Sequence, residues 1–515
     1  MDLKISARTV RPPTPIAFRG LRACVLPVLI TCSLWLLRSN EVSLTAVACS
    51  LLLALVPVIS YFHWREHAES SAAPLFPLVA FMFWLSFSVP AFWGRETLIG
   101  PGGERHIPTF AINSAMMAAA VGVAAMWGGY SLRLGKRAKP QELLLFQSAK
   151  NSHIYLWFIT FIGLIGLRFV EPVVRAMSSG LTQPIRIAVQ FTPMAAFAIL
   201  IIEYFRGRTT YLDRIGLAIY VAGRLAVGLA SGWLGSAVAT GLVVIFAYAM
   251  KWRRLPAIPL AATLLVILFL QPGKENFRSR FWYGGETGGV TERIYEWGAE
   301  STRLWRNALL GESGGEWRDL GISAVSRFDL LHQTANVIDF TPAVVPYQHG
   351  RLYSYLLVTY VPRFVWPNKP SVSDANRWYQ VTYGLTDEEN LDSVSIACGF
   401  LAEAYINFGW LGIPIVMFAI GVFLDLIDRV LLSRASGVYF NALGLALVPQ
   451  LIAIESQLGQ YIAGIAQMIV LTTVVLLPVL VWKRKAERRA LAATRLAGVR
   501  RPSVTVVQPK PLSPA

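Results

Sequence analysis

Glu403 and Asn407 stand four residues apart in Gly399-Phe-Leu-Ala-Glu-Ala-Tyr-Ile-Asn-Phe-Gly-Trp-Leu-Gly412, a segment that is otherwise almost wholly apolar. That spacing puts a carboxylate and an amide on one face of a helix. A carboxylate in such surroundings has its pKa raised and suits a general base. Upstream, Gln271-Pro-Gly-Lys-Glu-Asn-Phe-Arg-Ser-Arg-Phe-Trp282 gathers Lys274, Arg278 and Arg280. Between the two lie Gly350-Arg351-Leu-Tyr-Ser-Tyr355 and Val361-Pro-Arg-Phe-Val-Trp-Pro-Asn-Lys-Pro370, where Pro362, Pro367 and Pro370 interrupt any helix and Arg351, Arg363 and Lys369 present cations. Guanidinium groups grip phosphate oxygens two at a time, so these cations suit a phosphate or pyrophosphate at headgroup level. The plainer reading is contact with ordinary phospholipid headgroups.

The elements that must position these residues are membrane helices. Of the 515 residues 55% are hydrophobic and 15% charged, with mean hydropathy +0.50, whereas soluble domains carry about a quarter charged residues. At about 20 apolar residues per span, twelve segments qualify: 23–37, 42–62, 74–93, 107–130, 154–170, 187–205, 215–231, 233–250, 255–271, 410–432, 438–456 and 461–482. The first is expected to be a retained anchor. Lys and Arg concentrate at the N-terminus and in the fourth, sixth and eighth connections, and again from Lys483-Arg484-Lys485 onward. By the positive-inside rule both termini are then cytoplasmic. The net charge of +17 follows from that topology and from anionic lipid, and nucleic acid is not expected as a partner.

The expected fold is therefore an all-α polytopic membrane protein with one large extracytoplasmic loop. Residues 1–22 form a cytoplasmic N-terminus, 23–271 a bundle of about nine helices, 272–408 the loop, 409–482 three further spans and 483–515 a basic tail. The loop carries 12 Lys/Arg against 16 Asp/Glu and reads as a domain rather than a linker. Within it, 352–366 and 394–408 are apolar but too short to span, as re-entrant or interfacial helices are. Inside the spans Arg224 is the ionisable residue nearest mid-helix, and such residues are functional candidates or members of internal ion pairs.

Other patterns are weaker. His63-Trp-Arg-Glu-His67 has the form of a zinc peptidase motif, yet no third ligand is evident and a solvated helix end explains it. The glycine-rich stretches 284–289 and 311–315 lack the Lys-Ser/Thr that follows a phosphate-binding loop. Cys24, Cys32 and Cys49 fall in the first two spans and only Cys398 in the loop, so disulfides are not expected.

The Gly350–Tyr353 stretch running into Pro-Arg-x-x-Trp-Pro-x-Lys-Pro, followed by Gly-x-x-x-Glu-x-Tyr-x-Asn-Phe-Gly-x-x-Gly, resembles the Wzy-type polymerases of O-antigen and oligosaccharide repeat units. The likeness is close over 350–412, looser over 274–282, and elsewhere one of topology. It implies polymerisation, on the periplasmic face of a bacterial inner membrane, of units carried on undecaprenyl pyrophosphate into O-antigen, capsule or exopolysaccharide. It further implies Arg351 and Arg363 with Glu403 as catalytic groups, and Lys274, Arg278, Arg280, Lys369, Tyr405, Asn407 and Arg224 as substrate-binding groups. No cofactor or metal is required. The implied partners are the lipid-linked oligosaccharide, membrane lipids, a flippase and a chain-length regulator. An O-antigen ligase shares topology and donor, and a lipid-linked oligosaccharide flippase is the reading without covalent chemistry. Transporters concentrate charge at mid-membrane, whereas here it lies in one loop.

Overall fold

A helix is the one open structure that satisfies its own backbone in lipid, and the described residues are mostly helical. The computed structural model describes residues 16–38, 41–66, 71–94, 97–132, 144–146, 150–176, 179–310, 317–359, 361, 365–366, 368–371, 373–391, 396–434 and 436–482. A helix covers each of the twelve apolar segments. Among the described residues seven helices are long and apolar enough to cross a membrane: Leu44–Glu66, Leu75–Trp93, Thr109–Ser131, Pro184–Phe205, Gly235–Trp252, Phe400–Leu431 and Leu458–Val479. An eighth candidate is a broken pair, Ala257–Leu270 and Lys274–Tyr283, whose axes meet at 66°. Helices Tyr211–Ala230 and Val438–Leu451 are helical where expected. The first of these carries Asp213, Arg214 and Arg224 and the second has 14 residues, so neither meets the length and hydropathy of a span.

The bundle is held by close helix crossings. Thr109–Ser131 packs along Phe400–Leu431, and a β-carbon added at Gly421 or Gly129 would overlap the carbonyl of Met126 or Phe418. Small residues at such crossings let backbones approach, which is the main source of attraction between helices in lipid.

Polar contacts fall into two sets at opposite ends of the long helices. In one, Arg253 donates to the carbonyls of Ser71 (2.8 Å) and Trp64, while Asp428 accepts from Ser71 and from Tyr130 (2.6 Å). In the other, the hairpin Thr97–Gly100/Gly103–His106 meets the helix Leu331–Phe340 through Arg105, which bonds Asn336 (2.7 Å) and Asp339. Arg327 reaches Glu455 at 3.6 Å in the same set. The residues of 272–408 that make such contacts belong to this second set.

Both short apolar stretches of the loop carry a short helical piece. Among the described residues of 352–366 the helical piece is Arg351–Tyr353 continuing as Ser354–Thr359. In the stretch 394–408 a helix starts at Phe400, and the break at Gly409 sets it off as a short piece from the helical run that continues to Leu431.

Candidate functional site

The break at Gly409 organises the site. Its φ of 61° and ψ of −147° lie in a region essentially confined to glycine, and a β-carbon there would come within 2.9 Å of the Tyr347 hydroxyl. A break leaves carbonyls without helical donors. The Ile406 carbonyl accepts from the Gln348 amide at 2.9 Å and the Asn407 carbonyl from the His349 amide at 3.0 Å. Immediately after, the chain turns at Gly350 into Arg351–Tyr353. There the Leu352 amide donates to Asn407 Oδ1 at 3.4 Å, and the Tyr353 ring lies 6.0 Å from that of Phe408. Asn407 Nδ2 in turn donates to the Glu403 carbonyl at 2.8 Å. The two motifs that stand some fifty residues apart in sequence are thereby interlocked.

Glu403 is 1% exposed. Its Oε2 accepts the amide of Leu458 at 2.7 Å, the first residue of the helix Leu458–Leu476. A carboxylate there satisfies one of the orphan amides of a helix start and sits in its favourable field. Its Oε1 is buried with no hydrogen-bond partner among the described residues, as are both side-chain amide atoms of Gln457. Burial and then the charge of Glu403 push the neighbouring Tyr353 phenol well up, and the same two causes raise the Cys398 thiol. Both are therefore neutral groups at ordinary pH.

Three cations gather close by. Burial, with Arg278 and then Arg327 adding repulsion, pushes Lys274 down to about 8. Arg278 lies 4.2 Å over the Trp282 ring, and its Nε is buried without a partner among the described residues. Arg327 pairs with Glu455, whose carbonyl accepts the amide of Gly399 at 2.8 Å, the residue that caps the helix bearing Glu403. Of these three mutually repelling cations Arg327 is the one with a carboxylate partner among the described contacts, and that partner, Glu455, joins it to the turn before the helix of the candidate base. Such an excess of positive charge fits a multivalent anion.

The remaining expected residues are distributed differently. Arg280 does not join Lys274 and Arg278; it is exposed and bound to Glu286 (3.0 Å) and Glu296 (2.8 Å). Two residues along a helix turn it to the opposite face. Lys369 donates to the carbonyls of Val358 (3.3 Å) and Val361 (2.7 Å), closing its own loop. Arg351 is exposed on the turn beside Asn407. Tyr405 is buried and donates to the Thr341 carbonyl at 3.4 Å, with rings of Tyr347 and Trp410 around it. Arg224, 5% exposed, donates to Gly163 O (3.3 Å) and Thr240 Oγ1 (3.4 Å), and no described contact joins it to the loop cluster. Arg363 lies outside the described residues.

Sequence reasoning missed Arg327, a single cation following the helix Trp317–Ser326 with no motif around it. It also missed Asp329, which accepts the His332 amide at 3.1 Å and pairs with its Nδ1 at 2.6 Å. The spacing Asp-x-x-His at a helix start is the signal that was present.

No curated protein and no solved structure matches the chain. The family described as "Domain of unknown function (DUF8712)" matches residues 111–450, which take in most of the bundle, the whole loop and the helix bearing Glu403, and the chain belongs to that family.

Proposed function

We propose that the chain polymerises oligosaccharide repeat units carried on a polyprenyl pyrophosphate, as a twelve-span enzyme of a bacterial inner membrane whose termini are cytoplasmic and whose large loop faces the periplasm. The observation that carries the reading is the ion pair of Arg327 with Glu455 in the turn that caps the Glu403 helix, with Lys274 and Arg278 near enough to Arg327 to feel its charge. A site of this kind needs a clamp for departing pyrophosphate and an acceptor for one proton.

In the proposed step a hydroxyl oxygen of the incoming unit bonds to the anomeric carbon of the growing chain. The bond from that carbon to the pyrophosphate oxygen breaks with its electron pair. Pyrophosphate leaves on its lipid, its new charge met by Lys274, Arg278 and Arg327, with Arg351 exposed on the turn beside Asn407. The hydroxyl proton passes to Glu403 Oε1, the oxygen that the Leu458 amide does not occupy. Asn407 and Tyr353 hold the turn in which that oxygen sits.

The test uses purified full-length protein in vesicles with lipid-linked repeat units. The expected product is a ladder of longer lipid-linked glycans. Movement of units across the bilayer without lengthening overturns the reading.

A further inference from the structure

The segment that carries Lys274 and Arg278 has a second face. Between Lys274–Tyr283 and the helix Val290–Leu310 lies an open pocket of about 490 Å³, within the roughly 300–1,000 Å³ of small-molecule sites. Its polar wall consists of side chains already fixed by one another. Arg280 binds Glu296 at 2.8 Å, and Glu300 accepts from Asn276 at 2.6 Å and from Arg303 at 2.7 Å. Its apolar wall is Phe277 and Phe281, whose rings lie 4.9 Å apart. Phe277 is held from behind by the buried Trp297 at 5.3 Å.

The character of the lining narrows the ligand. Two carboxylates and two guanidiniums nearly cancel, so net charge does not select the occupant. Each pair sets an acceptor beside a donor in a rigid arrangement, and the planar forks hold their spacing. Neighbouring hydroxyls, each donor and acceptor at once, match such a wall, and the hydrogen-bearing face of a sugar ring matches the phenylalanines.

We infer that this pocket is a saccharide subsite, with a sugar ring against Phe281 and its hydroxyls between Asn276, Glu296 and Glu300. The identity of the sugar as part of the lipid-linked glycan rests on the function proposed above. Lys274 and Arg278 lie on the opposite face of the same helical turn, and a helix is about 10–12 Å across with its side chains. A glycan held at both places therefore has its pyrophosphate at the cations and a more distal ring in the pocket. Arg280 serves that ring rather than the phosphate.

The test uses the full chain in lipid nanodiscs and two probes. One is the phosphate-free oligosaccharide released by mild acid from the polyprenyl-linked pool of the native cells, and the other is polyprenyl pyrophosphate without sugar. The oligosaccharide is expected to bind the native protein. Phe281→Ala and Glu300→Gln are each expected to weaken it at least tenfold, and Ser279→Trp, which fills the pocket from an exposed position without removing an ion pair, to abolish it. All three variants are expected to bind the bare polyprenyl pyrophosphate as the native protein does. Absence of oligosaccharide binding to the native protein, or equal binding to Ser279→Trp, overturns the subsite. Oligosaccharide binding that follows this pattern in a protein that forms no ladder upholds the subsite and removes the polymerase reading.

Discussion

Leu458 donates its amide to one oxygen of Glu403 at 2.7 Å, and the other oxygen of that carboxylate is buried without a partner among the described residues. One group thus caps a helix and leaves a proton-accepting atom unused. The two tasks separate by substitution. Glu403→Gln keeps an oxygen for the Leu458 amide but removes the carboxylate, and elongation is expected to slow by about 10²–10⁴-fold, the range of general-base contributions, with little change in melting temperature. Glu403→Ala removes the cap as well and is expected to lose roughly 1–3 kcal/mol of stability for the buried amide left unpaired. Native ladders from the Gln variant would reduce Glu403 to a helix cap.

Gly409→Ala places a side chain where φ is 61° and Tyr347 is in the way. The strain is on the order of 1–3 kcal/mol, relieved only by straightening the helix and withdrawing the Ile406 and Asn407 carbonyls from Gln348 and His349. Faster hydrogen exchange at residues 348 and 349, together with loss of elongation, is the expected result. Unchanged protection at those amides would mean that the break is not what holds the loop.

Lys274 gives opposite pH slopes to binding and to stability. Its ammonium is disfavoured in the fold, so between about 8 and the roughly 10.4 of an unperturbed lysine the unfolded chain carries the extra proton and stability rises with pH. Over the same window the clamp loses a positive charge, and affinity for bare polyprenyl pyrophosphate falls. Lys274→Met should flatten both slopes when affinity and melting temperature are followed from neutral pH upward. An affinity that holds constant through the window would take Lys274 out of the clamp.

Arg105 fastens the hairpin 97–106 to Asn336 and Asp339 while lying 4.0 Å over the Phe340 ring. It is 38% exposed as a side chain, so Arg105→Ala is expected to lower stability by only about 1 kcal/mol. The larger effect is local: amide exchange should quicken across the hairpin and leave the Ser71, Tyr130 and Asp428 cluster at the other end unchanged. Equal quickening at both ends would show general loosening instead of a lost clasp.

What the sequence disclosed follows from what hydropathy and charge measure. Apolar length marks helices well, and all twelve segments lie on helices. It says less about which of them cross a membrane alone, because Arg224 and Asp213 lower the hydropathy of one and a 66° bend divides another. The short apolar length of 394–408 marked a piece that does end at a break, but the dihedral angles of Gly409 that make the break leave no trace in hydropathy. Lys274 and Arg278 were found from clustering, and Arg280 was wrongly grouped with them because its partners Glu286 and Glu296 come from the next element. Arg327 reaches the cluster only through the folding of the loop, a contact that nothing local in its sequence announces.

The bonds from Gln348 and His349 onto Ile406 and Asn407 have a consequence for how such a chain can vary. They tie the two roots of a long excursion together, so its closure is secured whatever lies between. For a flexible loop each doubling of length then adds only about 0.6 kcal/mol of closure entropy. Changes of length within the excursion that leave its buried Ala375, Tyr379, Tyr383 and Cys398 in place therefore cost little in closure, and the latch at its base stays in register.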